Sequence, residues 1–118
     1  MPISQLFFSF AGRITRQSYW LSTLALSAVI LVPAFFYFGI GTETAESYVD
    51  VASLVLFWPL LAVQAKRWHD RDKAAWWILI ALIPVIGFFW AIIEIGFLPG
   101  TSGQNRFGAN PNQTNPQA

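Results

Sequence analysis

Three long apolar runs, separated by short polar stretches, organise this 118-residue chain. The first, "LSTLALSAVILVPAFFYFGI" from Leu21 to Ile40, has no charged residue. A helix of about 20 apolar residues is what a hydrocarbon layer about 30 Å thick requires. The second, "VASLVLFWPLLAVQA" from Val51 to Ala65, is apolar apart from Ser53 and Gln64, and contains Pro59. It is short for a span. Tyr48, Val49 and a snorkelling Lys66 extend it to crossing length, and a re-entrant or buried placement is the competing reading. The third, "AAWWILIALIPVIGFFWAIIEIGFLPG" from Ala74 to Gly100, is long enough to span, with Pro84 and Gly87 in mid-run. None of the runs alternates apolar and polar positions as a barrel strand does. Backbone groups in hydrocarbon must pair internally, so helices are predicted.

The expected fold is therefore all-α: a small polytopic membrane protein with three transmembrane helices, at about 17–40, 49–66 and 74–98, joined by short loops. Residues 1–109 form one membrane domain, and the Asn-, Gln- and Pro-rich tail 110–118 has too little to bury and is expected to be disordered. The sequon Asn112-Gln113-Thr114 falls on that tail and reads as chance. A cleaved signal peptide is not expected, because the first run exceeds the usual apolar region of about 7–15 residues and no small-residue cleavage site stands out.

Composition agrees with the pattern. Apolar residues make up 55% of the chain and charged residues 11%, too few to cover a soluble domain this small. The formal charge of +1 offers no basic face for nucleic acid. The absence of cysteine excludes disulfides and thiolate chemistry. The placement of charge says more than its sum. Arg13 and Arg16 precede the first run, and Lys66, Arg67, Arg71 and Lys73 lie between the second and third. The first loop carries Glu43, Glu46 and Asp50 and no basic residue. With three crossings, retention of Lys and Arg on the cytoplasmic side puts the N-terminus and the 66–74 loop inside, and the C-terminus with Arg106 in the periplasm. Tyr19, Trp20, Tyr37, Trp68, Trp76, Trp77 and Trp90 lie near run ends, where headgroup-level aromatics belong.

Three segments carry a likeness to a known family. They are "FAGRITRQSYW" (Phe10 to Trp20), "PLLAVQAKRWHDRDKAAWWILIALIPVIG" (Pro59 to Gly87) and "LPGTSGQNRFGANP" (Leu98 to Pro111). They resemble the opening, central and closing patterns of the bacterial family of unknown function numbered 805. Trp68 stands where that family usually has leucine, and Ala74-Ala75 where it has Ser-Gly. The resemblance implies a bacterial inner (plasma) membrane protein and implies no reaction, since the family has none assigned.

The candidate residues concentrate near the central loop. His69 and Asp70 invite a proton-relay reading, since imidazole titrates near pH of about 6.5. Hydrogen bonding or capping at the interface is the more ordinary role. No nucleophile is placed beside His69, and one His with two Asp at this spacing matches no metal motif, so no catalytic residue, metal ligand or cofactor is assigned. Arg13, Arg16, Lys66, Arg67, Trp68, His69, Asp70, Arg71, Trp76, Trp77, Asn105 and Arg106 are candidates for contact with lipid or a partner. For Arg13 and Arg16 the alternatives are anionic headgroups or a salt bridge to Asp70 or Asp72. Thr15 is placed to cap a helix that begins at Arg16. Glu94 is the one ionisable residue within an apolar run, which makes it a coupling candidate.

The function expected is a structural or partner- and lipid-interaction role in the inner membrane. The partners are membrane lipids, chiefly anionic headgroups at the cytoplasmic face, with a homo-oligomer or a membrane-protein partner as further contacts. An oligomeric transporter or channel component, or an accessory subunit of one, is the alternative. Phe107 beside Arg106 suggests that the segment after Pro99 folds back rather than floats. Truncation after Pro99 should therefore lower steady-state abundance, measured by immunoblot of isolated membranes, and unchanged abundance and stability would count against a folded ending.

Overall fold

The computed structural model describes residues 2–111 and is all-α, with no strand among the described residues. Its first helix, α1, spans Ile3–Phe8, and two long helices follow, α2 at Arg16–Phe38 and α3 at Thr42–Asp70. The expectation of a disordered tail falls, apart from Asn110 and Pro111, outside the described residues, as does the sequon.

Helix α2 starts where its cap dictates. The Thr15 hydroxyl oxygen accepts the Ser18 N–H at 3.1 Å, satisfying one of the donors a helix start leaves unpaired. Its 23 residues give a length of about 35 Å. Tyr19, Ser22, Leu26 and Ile30 form its buried stripe at helical spacing, facing α3. Pro33 lies inside α2 and Pro59 inside α3, and neither ends its helix.

Helix α3 is longer than expected at both ends, 29 residues rather than about 18. The polar "TETAES" stretch is its first turns, with Glu43 favourably placed against the positive end of the helix dipole. Only Gly39–Gly41 separates it from α2. At the other end, "KRWHD" is helical as well. The helix stops at a left-handed turn: the Lys73 N–H donates to Trp68 O and the Asp72 N–H to His69 O, both at 2.9 Å, with Asp72 at φ 60. That pairing caps the last carbonyls, and aspartate tolerates the left-handed conformation better than most residues.

The third apolar run is not the single helix expected at about 74–98. Residues Ala75–Leu82 form a 3-10 helix, and α4 at Ile86–Ala91 passes into a π-helical turn at Ile92–Phe97. The break is "IPV". Ile83 is extended, as a residue before proline prefers, and Pro84 has no N–H to continue the ladder. Val85 sits at φ 63, and Ile86 N–H closes a tight turn onto Pro84 O at 2.7 Å. The two halves fold back on each other, so that Lys73 at the start of the run meets Glu94 near its end. Eight residues of 3-10 helix extend about 16 Å, roughly half of a hydrocarbon layer.

Burial runs opposite to that of a soluble protein. Lys66, Arg67 and Asp70 are at most 1% exposed, whereas Phe35 is 78% and Leu54 79% exposed. Large contiguous apolar surface is sustainable only when hydrocarbon is the solvent. Two helices, α2 and α3, are long and apolar enough to cross a membrane. The buried apolar cluster of Ile14, Tyr19, Val63, Trp68 and Ile95 lies at the charged end.

The hairpin depends on Gly87. A Cβ there would stand 1.8 Å from Ile80 O, on the opposite limb. Gly87→Ala should therefore lower the denaturation midpoint in a fixed mild detergent, by about 1–3 kcal/mol if overpacking is the mechanism. Gly39→Ala, where the nearest atom is 3.6 Å away, is the matched control and should not. Equal behaviour of the two would contradict the folded-back arrangement.

Candidate functional site

Asp70, on the last turn of α3, is the centre of a buried cluster. Its Oδ1 accepts from Arg13 Nε at 2.9 Å, and its Oδ2 accepts from Arg67 Nη1 one turn back on the same helix. Its backbone carbonyl accepts the Thr101 N–H at 2.7 Å. Two guanidiniums thus meet one carboxylate, and the remaining donors go to backbone carbonyls. Arg13 Nη1 reaches Gly103 O at 2.8 Å and Gly108 O at 3.1 Å, and Nη2 reaches Thr101 O at 2.6 Å. Arg67 donates to Ile95 O, to Ile14 O at 3.2 Å and to Leu98 O at 2.6 Å. The planar, multi-donor guanidinium suits such a junction in a way that an ammonium does not.

The same chemistry extends along the end of the third run, whose last carbonyls have no helical partner. Trp20 Nε1 donates to Gly96 O at 2.8 Å, Arg16 Nη1 to Phe97 O at 2.7 Å and Arg71 Nη1 to Pro99 O at 2.6 Å. With Arg67 on Ile95 O and Leu98 O, the carbonyls from 95 to 99 are all capped by side chains from α2, α3 and Arg71 just past the end of α3. Lys66 does the same for α1. Its ammonium donates to Leu6 O, Ser9 O and Ala62 O, using all three of its hydrogens.

The final segment is latched onto α3. The His69 ring stacks on Phe107 with centroids 3.9 Å apart and planes 3° apart. Its Nδ1 lies 2.9 Å from Gly12 O, which requires the proton on Nδ1. Asn105 Nδ2 donates to His69 O at 2.9 Å, and its Oδ1 accepts the Phe107 N–H at 2.8 Å. Arg106 pairs with Asp72 at 3.2 Å on the surface. Gly100 is required by contact, since a Cβ would stand 1.9 Å from Asp70 Oδ2.

The structure thus gathers Arg13, Lys66, Arg67, His69, Asp70 and Asn105 into one junction, and of the two alternatives for Arg13 it realises the bond to Asp70. Several expectations change in detail. Lys66 does not send its ammonium outward, because backbone carbonyls of α1 and the following turn take it up. Trp68 is fully buried, stacked with Trp77 at 5.9 Å, so it has no lipid-facing surface. Glu94 is not isolated in an apolar span. It is 6% exposed, paired with Lys73, and accepts from Trp90 Nε1 at 2.9 Å. Arg16, Trp76 and Arg106 remain exposed, and Arg71 is half-buried. Among the described residues no Ser or Thr hydroxyl bonds His69, and no group of three or more acidic and His side chains converges.

Sequence reasoning missed α1 and the carbonyls of Thr101, Gly103 and Gly108. The latter had a signal in the glycine spacing of "PGTSGQNRFG", since glycine allows a backbone to approach a side chain closely.

A membrane-embedded all-α protein closed at one end by buried arginines is the class these features define. The chain belongs to the family of proteins of unknown function DUF805, whose pattern it matches over residues 7–109. It is 35% identical over 114 residues to the inner membrane protein YhaH of Escherichia coli (strain K12), covering 94% of this chain and 93% of that one. To the inner membrane protein YhaI of the same strain it is 34% identical over 113 residues, covering 94% and 92%. The uncharacterised protein YiiR is 29% identical over 137 residues, covering 92% and 89%. No solved structure matches the chain. The relatives and the two long apolar helices locate it in the inner membrane.

Asp70→Asn keeps the shape of the side chain and removes the charge between two buried guanidiniums. Breaking a buried ion pair in this way should cost about 3–5 kcal/mol. Asp50→Asn, on the exposed face of α3, should stay within about 0.5 kcal/mol. Denaturation midpoints in one detergent compare the two, and a midpoint for Asp70→Asn equal to wild type would contradict the junction.

Proposed function

We propose that the chain is a structural or interaction protein of the inner membrane. It crosses the membrane twice, through α2 and α3, and dips its third apolar run as a hairpin into the leaflet on the basic side. One observation carries the reading. All seven basic residues of the chain lie at the Asp70 end, most of them bonded to backbone carbonyls, while Glu43, Glu46 and Asp50 lie at the other. The preference of Lys and Arg for the cytoplasmic side then puts the N-terminus, the junction and residues 101–108 together in the cytoplasm. The sequence alone suggested a periplasmic C-terminus, on the assumption of three crossings. Arg13, bonded to Thr101, Gly103 and Gly108, favours one side for both.

A solute path is less well supported. The charged side chains of the apolar runs sit at one end and bond to protein, so no charged side chain continues along the α2–α3 pair between the junction and Asp50. What remains free for interaction is apolar: the outer faces of α2 and of the hairpin, which meet lipid or the spans of a membrane partner.

The chain has no cysteine, so single cysteines report topology cleanly. Ser102→Cys and Thr44→Cys, both at exposed positions, should react with a membrane-impermeant maleimide from opposite sides. In spheroplasts Thr44→Cys should label and Ser102→Cys should not, with the reverse in inverted vesicles. Labelling of Ser102→Cys in intact spheroplasts would overturn the two-crossing topology.

A further inference from the structure

Between α3 and the 3-10 limb of the hairpin runs an open cleft of about 550 Å3. Phe57 and Leu61 line it from α3, and Leu79 and Leu82 from the hairpin. Two polar side chains also line it, Gln64 and Trp76. Among the described residues neither the Gln64 carboxamide nor the Trp76 indole N–H has a hydrogen-bond partner. They stand out in a junction whose charged side chains are bonded on nearly every side. Gln64 lies within one turn of Lys66 and Arg67, and Trp76 three residues after Lys73, so both are at the basic end of the cleft.

The geometry points to a lipid site: the cleft takes one acyl chain of a glycerophospholipid, whose ester carbonyl accepts hydrogen bonds from Gln64 and Trp76. The occupant must match two features at once. Its body must be hydrocarbon, because the walls are. Its polar end must bring an acceptor to the level of two accessible donors, Gln64 half-buried and Trp76 exposed, because an interfacial amide or indole N–H at the rim of an apolar cleft is paired by an acceptor that arrives with the occupant. A diacyl lipid has both at that spacing, with its ester groups just above the chains. A second copy of this chain, or another apolar helix, would cover the walls and leave both donors unpaired. The inference rests on the membrane reading of the fold, and not on which side the junction faces.

The test compares two lipids that differ only in the acceptor: dioleoyl phosphatidylethanolamine and its diether analogue, which lacks the ester carbonyls. The full chain is exchanged into equal mixtures of the two in detergent, and bound lipid is counted by native mass spectrometry. The diester should be retained over the diether, by roughly threefold for each hydrogen bond at the strength typical within membranes. Gln64→Leu and Trp76→Phe should each reduce that preference without changing the denaturation midpoint. Equal retention of the two lipids by the wild-type chain would overturn the site, as would a Leu79→Cys chain that forms a disulfide dimer through the cleft. Loss of the preference with maleimide labelling unchanged would remove the cleft assignment alone and leave the topology standing.

Discussion

A guanidinium holding backbone carbonyls at the edge of hydrocarbon is the interaction on which this fold depends. Arg67 projects from the last turns of α3 and bonds Ile14 O, Ile95 O, Leu98 O and Asp70. Each carbonyl lies outside α3 itself: Ile14 on the approach to α2, and Ile95 and Leu98 at the end of the third run. A carbonyl at a helix end has no helical partner, and in an apolar surround an unpaired one costs free energy comparable to a lost hydrogen bond. The arginine satisfies several at once, and in doing so fixes which segments meet. Arg13 repeats the arrangement for the closing segment, and Lys66 for α1.

Asp70 makes the two arginines compatible. Two buried guanidiniums side by side repel each other, and a carboxylate held between them offsets that repulsion while using its oxygens fully. Buried ion pairs are a poor source of net stability, because desolvation consumes most of the Coulomb attraction. The cluster here specifies more than it stabilises. An apolar cluster of Ile14, Tyr19, Val63, Trp68 and Ile95 packs among the same segments. Gly100 shows how tight the closure is, since no side chain fits between its backbone and Asp70.

The placement of charge also shapes the functional reading. With nearly all basic side chains engaged by protein, the basic end is closed rather than displayed, and the large exposed surfaces of the helices are mostly apolar. The proposed contacts with lipid and with partners accordingly use the apolar helix faces more than a charged face. The cleft between α3 and the hairpin is a place where apolar walls and unpaired polar groups occur together.

How much of this was legible beforehand follows from the range of each interaction. The sequence by itself determined the medium, the all-α class, the start of α2 at Arg16 under the Thr15 cap, and the gathering of charge around 66–73, because these rest on local hydropathy and on bonds between near neighbours. It misread "TETAES" as loop, since polarity near a helix start looks the same either way. It named Pro84 and Gly87 without foreseeing the turn, because Pro33 and Pro59 sit in equally apolar runs and stay helical. Only the tertiary structure decided that the third run folds back. A straight helix from Ala74 would carry Leu98 about 36 Å away from Arg67, and the bond between them, across a separation of 31 residues, is what no local pattern encodes.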